Sequence, residues 1–155
     1  MRVIAVGTRM PGWVDEACED YRRRLRPPWR LTLTELPAVR RADGADAAAR
    51  ARLAEGRQIL AQLSERERVV PLDEQGNELS TAELAAWLRA QQASGVELTF
   101  IIGGADGLDA AVLARGERRW SLSRLTLPHG LARVLLMEQL YRAASLLGGH
   151  PYHRA

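Results

Sequence analysis

Three stretches in the last third of the chain carry residue types fit for chemistry: Gly103-Gly104-Ala105-Asp106-Gly107, the run from Ser121 to His129, and the terminal His150-Pro151-Tyr152-His153-Arg154. The glycine stretch follows an apolar run, Val96 to Ile102, which places it at the carboxyl end of a strand, where ligands of open α/β sheets usually bind. Glycines there either let a ligand approach the backbone or supply the positive φ of a tight turn. The stretch is not GxGxxG and lacks GK[ST], so a conventional dinucleotide or triphosphate site is poorly supported. Leu72-Asp73-Glu74-Gln75-Gly76 follows a second apolar run, and Leu122 to Leu127 alternates leucine with hydroxyl or charged residues before Pro128. Converging strand ends of this kind make a pocket whose apolar walls and exposed amides suit a flat heteroaromatic group such as adenine. Taken alone, Ser121-Leu122-Ser123 also reads as plain strand. No G-x-S-x-G elbow is present, which argues against serine nucleophile chemistry.

The titratable groups gather in the same third. His129, His150 and His153 are the only histidines, and zinc binding through them lacks a recognised spacing. Glu138, Arg142 and Ser145 fall at i, i+4 and i+7 of an otherwise apolar helix, as an intrahelical ion pair or as part of an active site. The terminal imidazoles, ring hydroxyl and guanidinium can grip phosphate, stack on a base or take a proton. Cys18, the single cysteine, reads as a small buried hydrophobe; it excludes an intramolecular disulfide and a cysteine-rich metal site.

These residues need a frame. Arg2 to Gly7 is a continuous apolar run closed by glycine, as in a strand buried on both faces, and a helix from Trp13 to Arg26 follows, ending at Pro27-Pro28. Leu31 to Leu36 alternates as a strand, an alanine-rich helix spans about Asp46 to Leu63, and Val69 to Leu72 gives a third strand. Ser80-Thr81-Ala82-Glu83 is a capping box opening a helix to about Gln92. After the fourth strand, a brief helix from Asp109 to Ala114, a fifth strand near Ser121 to Leu127 and a long helix from about Leu131 to Leu147 complete the pattern. Strands alternating with helices predict a single α/β domain over residues 1–155, a parallel sheet flanked by helices. The long helix, apolar nearly all round, is expected to pack partly against a second subunit.

Composition narrows the chemistry. The 155 residues are 46% hydrophobic and 26% charged, enough for one core, and no run is long enough to span a membrane. A cytoplasmic protein is expected, without a membrane partner. The chain has no lysine, which rules out Schiff-base catalysis and the lysine-dependent phosphate loop. Residues 115–155 hold seven arginines against Glu117 and Glu138, whereas residues 1–114 hold fifteen against seventeen acids. A basic end on a near-neutral body suits an anionic partner such as nucleic acid, or is a solvated arginine-rich surface.

Taken together, Val6-Gly7-Thr8, Leu72-Asp73 with Gly76, Ile102-Gly103-Gly104 with Gly107, Ser121-Leu122-Ser123 through Leu125-Thr126-Leu127-Pro128-His129, Arg133-Val134, Glu138 with Tyr141-Arg142-Ala143, and Tyr152-His153-Arg154 resemble the RlmH family of the SPOUT superfamily over essentially the whole chain. That family methylates N3 of a pseudouridine in bacterial 23S ribosomal RNA of the large subunit. The resemblance implies a trefoil-knotted α/β fold, a homodimer and S-adenosyl-L-methionine as methyl donor, with 23S rRNA within the ribosome as substrate and no role for DNA. It implies cofactor contacts from Leu72, Gly103, Leu122, Ser123, Arg124, Leu125, Thr126 and Leu127, with Gly104 close by, and a site shared between subunits that Tyr152-His153-Arg154 help to complete. Within it His129 is the first candidate for proton removal or base orientation and Glu138 the second. Arg142 and Arg154 are candidates to stabilise the imide anion or hold phosphate, and Tyr152 to orient the base. Rival readings are a non-catalytic RNA- or ribosome-binding factor and a SPOUT methyltransferase for another RNA position.

Overall fold

The computed structural model describes residues 1–41, 43–149 and 152. Five strands, β1 (Arg2–Val6), β2 (Thr32–Leu36), β3 (Arg68–Glu78), β4 (Leu98–Ile102) and β5 (Trp120–Ser121), form one sheet in the order β2-β1-β4-β3-β5, and every pairing is parallel. Helices α1 (Gly12–Arg24), α2 (Ala47–Leu60), α3 (Thr81–Ser94), α4 (Ala110–Arg115) and α5 (His129–Leu147) connect and follow them. Among the described residues no helix is long and apolar enough to cross a membrane.

The period-two geometry of the central strands sorts the core into two layers. Val3, Ala5, Phe100 and Ile102 point to one face, where they meet Val14 and Cys18 of α1, Leu84 and Leu88 of α3, and Leu136, Met137 and Leu140 of α5. Ile4, Val6, Val69 and Ile101 point to the other, against Ile59 of α2 and Val112 of α4. All five residues of β4 are buried, which is why that strand reads as an unbroken apolar run. Helix α5 lies between α1 and α3.

Local signals set several boundaries. Ser80 accepts from the Glu83 amide while Glu83 accepts from the Ser80 amide, the reciprocal capping expected from the sequence, and Gly95 ends α3 in the left-handed region at φ 66°. Helix α1 ends at Arg24, three positions before Pro27: Leu25 is already extended, and proline keeps Arg26 out of the helical region.

Two strands depart from their sequence pattern. The expected strand over Ser121 to Leu127 is β5 of only two residues, followed by a loop. Ser121 Oγ donates to the Ser123 carbonyl and Ser123 Oγ accepts from the Leu125 amide, both at 2.9 Å, so hydroxyls replace ladder partners and turn the chain. Strand β3 runs on to Glu78 because its polar half also pairs with β5: Leu72 and Asn77 both lie opposite Trp120. Between them Asp73 Oδ1 accepts from the Gln75 amide at 2.8 Å, and β3 curls round the β5 backbone. Gly76 permits the approach, since a Cβ there would sit 2.7 Å from the Trp120 carbonyl carbon.

Candidate functional site

The middle of β3, from Leu72 to Gln75, and the carboxyl ends of β4 and β5 open into one cleft of about 770 Å³. Leu72 of β3 and Ile102, the last residue of β4, lie against it, Gly103 to Gly107 form one rim, and the loop from Leu122 to Leu127 lies along the other. Of the expected cofactor residues, Leu72, Gly103, Gly104, Leu122, Ser123, Leu125, Thr126 and Leu127 line the cleft; Arg124 does not. Leu125 belongs to the lip and is 74% exposed. Arg41 ties the chain after β2 to the glycine rim through Asp106, its Nε 2.8 Å from Oδ2 and its Nη2 on Oδ1.

Packing explains the glycines more than turn geometry does. Only Gly107 has positive φ, at 79°. A Cβ on Gly103 would lie 2.9 Å from the Gly107 backbone, and one on Gly104 would overlap the carboxylate of Glu55. Glu55 is buried on α2 and accepts from the Val39 amide at 2.9 Å, bracing the β2 exit loop beside the rim. Nothing in the alanine-rich sequence of α2 distinguishes this acid from its exposed neighbours.

His129 stands at the end of the cleft as the first residue of α5. Arg133 Nε donates to its Nε2 at 3.1 Å, and the same guanidinium, 1% exposed, reaches the Val6 carbonyl at 3.1 Å, the Gly7 carbonyl and Glu35. Burial, then the Arg133 cation, push the His129 imidazole below its ordinary value, against a smaller upward pull from the Val6 carbonyl. The ring is therefore neutral at neutral pH, and its acceptor nitrogen is already taken. Arg133 carries that arrangement; its sequence signal was an arginine in the apolar first half of the helix, four residues after a histidine.

Glu138, Arg142 and Tyr152 form a second cluster. Glu138 lies nine positions beyond His129, about 13.5 Å along α5. Arg142 Nε donates to Glu138 Oε1 at 2.8 Å, and Gln139 donates to the other oxygen at 2.6 Å. Tyr152 lies edge-on to Tyr141, centroids 4.7 Å apart, beneath the Arg142 guanidinium, with its hydroxyl 3.4 Å from both Glu138 and Tyr21. Burial, then the Tyr21 contact, push the Tyr152 phenol up to about 12, which keeps it a donor. Within one chain the structure thus separates the expected site residues into a cleft group and a cation-aromatic group. Arg154, with His150 and His153, lies outside the described residues. Burial also raises the Cys18 thiol to about 11, consistent with an inert hydrophobe.

A family model described as "Predicted SPOUT methyltransferase" matches residues 1–153. The chain belongs to the SPOUT methyltransferase family. It is 52% identical over 155 residues to the ribosomal RNA large subunit methyltransferase H of Alkalilimnicola ehrlichii, covering 100% of this chain and 99% of that one. It is 49% identical over 154 residues to the protein of the same name from Thiobacillus denitrificans, covering 99% and 98%. A probable methylase family protein from Haemophilus influenzae shares the fold at 14% identity, with a TM-score of 0.57 over 97% of this chain and 69% of that one. For a SPOUT methyltransferase the cleft residues fit S-adenosylmethionine: Leu72, Ile102, Leu122 and Leu127 offer apolar packing, backbone lines the two rims, and Asp73 offers a carboxylate to hydroxyl or ammonium groups.

Proposed function

We propose that this chain transfers a methyl group from S-adenosylmethionine to N3 of a pseudouridine in 23S ribosomal RNA, on the assembled large subunit. The observation that carries the reading is the cleft in which eight of the nine expected cofactor residues meet beside His129. The relatives named above supply the substrate class through their names.

We infer that the chain acts as a homodimer, a reading that the separation of the two side-chain groups supports. A second copy with its α5 antiparallel would bring Glu138, Arg142 and Tyr152 beside the partner's cleft. Trp13 and Leu131, 51% and 45% exposed, offer the apolar surface for that contact. We also infer that the chain is threaded through itself, since β3 wraps the β5 backbone at Gly76.

Held between the two rims of the cleft, S-adenosylmethionine would supply an electrophilic sulfonium methyl group, with the thioether as its leaving group, to an N3 whose imide proton has passed to solvent. Among the chain's own residues, the Arg142 cation stabilises the imide anion and Tyr152 donates to the base. His129 holds the base in line as a neutral ring, and the apolar cleft walls exclude water. Glu138 is committed to Arg142 and Gln139, which makes it a positioning residue.

The test pairs calorimetry with S-adenosylmethionine and radiolabelled methyl transfer to large subunits lacking the modification. Binding and incorporation at one pseudouridine are expected, with Arg142→Ala losing roughly two orders of magnitude in rate. Ribosome binding without cofactor affinity would establish the non-catalytic rival, and incorporation elsewhere would establish another RNA position.

A further inference from the structure

The opposite edge of the sheet holds a second cavity, of 680 Å³, between the carboxyl-terminal ends of α1, α3 and α5. Arg24, Arg26 and Arg89 line it together with Trp29, Tyr141 and Gln92, and no carboxylate does. Arg24 is engaged: its Nη2 is 2.6 Å from Asp20, and its guanidinium lies 5.8 and 5.9 Å from the rings of Tyr21 and Tyr141. Arg26 and Arg89 are exposed, and neither has an ion-pair partner among the described residues. Two uncompensated guanidiniums at the mouth of a cavity walled by indole and phenol match one ligand chemistry well: a nucleotide whose base stacks on a ring while its phosphates pair with arginine.

The cavity is also joined to the Arg142 and Tyr152 cluster. Tyr141 is common to both, contributing to the cavity lining and meeting Tyr152 edge-on. A base held here leaves its neighbour along the strand within reach of that cluster.

We propose that this cavity is an RNA subsite that takes one unstacked nucleotide of the single strand flanking the methylated base. It rests on the RNA methyltransferase reading above and deepens it. The subsite gives a small domain a grip on RNA separate from the nucleotide undergoing chemistry. It reads an unpaired, splayed conformation and not a base sequence, because rings and guanidiniums accept any base and any phosphate.

The deciding experiment measures binding of a short fluorescently labelled single-stranded RNA, and of large subunits, by the full chain and by an Arg26→Ala/Arg89→Ala variant at several salt concentrations. The variant is expected to bind both ligands roughly tenfold more weakly. Its logarithmic salt dependence for the single strand should be shallower by about 1.4, the share of two phosphates that arginine no longer neutralises. Its S-adenosylmethionine affinity, measured by calorimetry, should match the parent. Trp29→Ala should weaken binding with the salt slope unchanged; should that chain fail to fold, the exposed arginine pair still decides. Parent-like RNA affinity in the double variant overturns the subsite. So does dissociation into monomers in sedimentation, which would make the cavity a contact between copies. A parent that binds RNA through Arg26 and Arg89 but has no cofactor affinity sinks the methyltransferase reading and leaves the subsite standing; a parent that binds no RNA sinks both.

Discussion

Arg133 donates to the carbonyls of Val6 and Gly7, to the Glu35 carboxylate and to the His129 ring, and that sharing decides what the imidazole can do. A positive charge against Nε2 opposes a second proton on the ring, and burial opposes it further. The sign of the consequence is fixed by linkage. The folded His129 binds its proton more weakly than the unfolded one, whose ordinary value is 6.5, so the unfolded state takes up the extra proton as pH falls through that value. This contribution to stability is present above about pH 6.5 and is lost on acidification. In scanning calorimetry the melting temperature should fall below that pH, with a slope from this group of at most about 1.4 kcal/mol per pH unit. His129→Gln, whose amide oxygen still accepts from Arg133, should flatten the curve in that window; an unchanged curve would show that the ring does not titrate in this way.

At the scale of elements, the close contact between β3 and β5 makes a sharp demand on one residue. A methyl group on Gly76 meets the Trp120 carbonyl carbon at 2.7 Å and the Ser121 amide at 2.8 Å, both backbone, so neither can step aside. Gly76→Ala is expected to cost about 1–3 kcal/mol in denaturant unfolding and to weaken S-adenosylmethionine binding, because the cleft loop hangs from β5. Parent-like values in both would mean the strand wrap is looser than described. This contact also marks where sequence reading ran out. The apolar runs of β1 and β4 and the Ser80/Glu83 box of α3 state their elements locally, and the structure follows them. The polar second half of β3 is a strand only because β5 comes back to pair with it, which no local pattern records. Conversely, the leucine alternation from Leu122 to Leu127 looks like strand but is turned by Ser121 and Ser123. The cleft walls were legible because strand ends of a parallel sheet share an edge. Arg133 and Glu55 were not, because burial of a charge depends on what packs over it.

For the whole molecule, the distribution of exposed apolar surface is the informative quantity. Trp13 opens α1 and Leu131 opens α5, and the two helix starts adjoin, since a Cβ on Gly130 would lie 2.9 Å from Val14. Covering two such side chains contributes roughly 1.5–3 kcal/mol each. Trp13→Glu/Leu131→Glu should therefore sediment as a monomer at concentrations where the parent is a dimer, keep its cofactor affinity and lose methyl transfer to large subunits by at least about tenfold. A monomeric parent, or a monomeric variant with full activity, would remove the shared site. The tie from Arg133 back to Val6, Gly7 and Glu35 spans 127 positions at its widest, and that has a meaning in time. The Val6 and Gly7 carbonyls leave the ribosome well before Arg133, whose side chain satisfies them, is made. The proposed catalytic end of the cleft is thus completed only once α5 has been made, 127 positions after the first carbonyl it ties down.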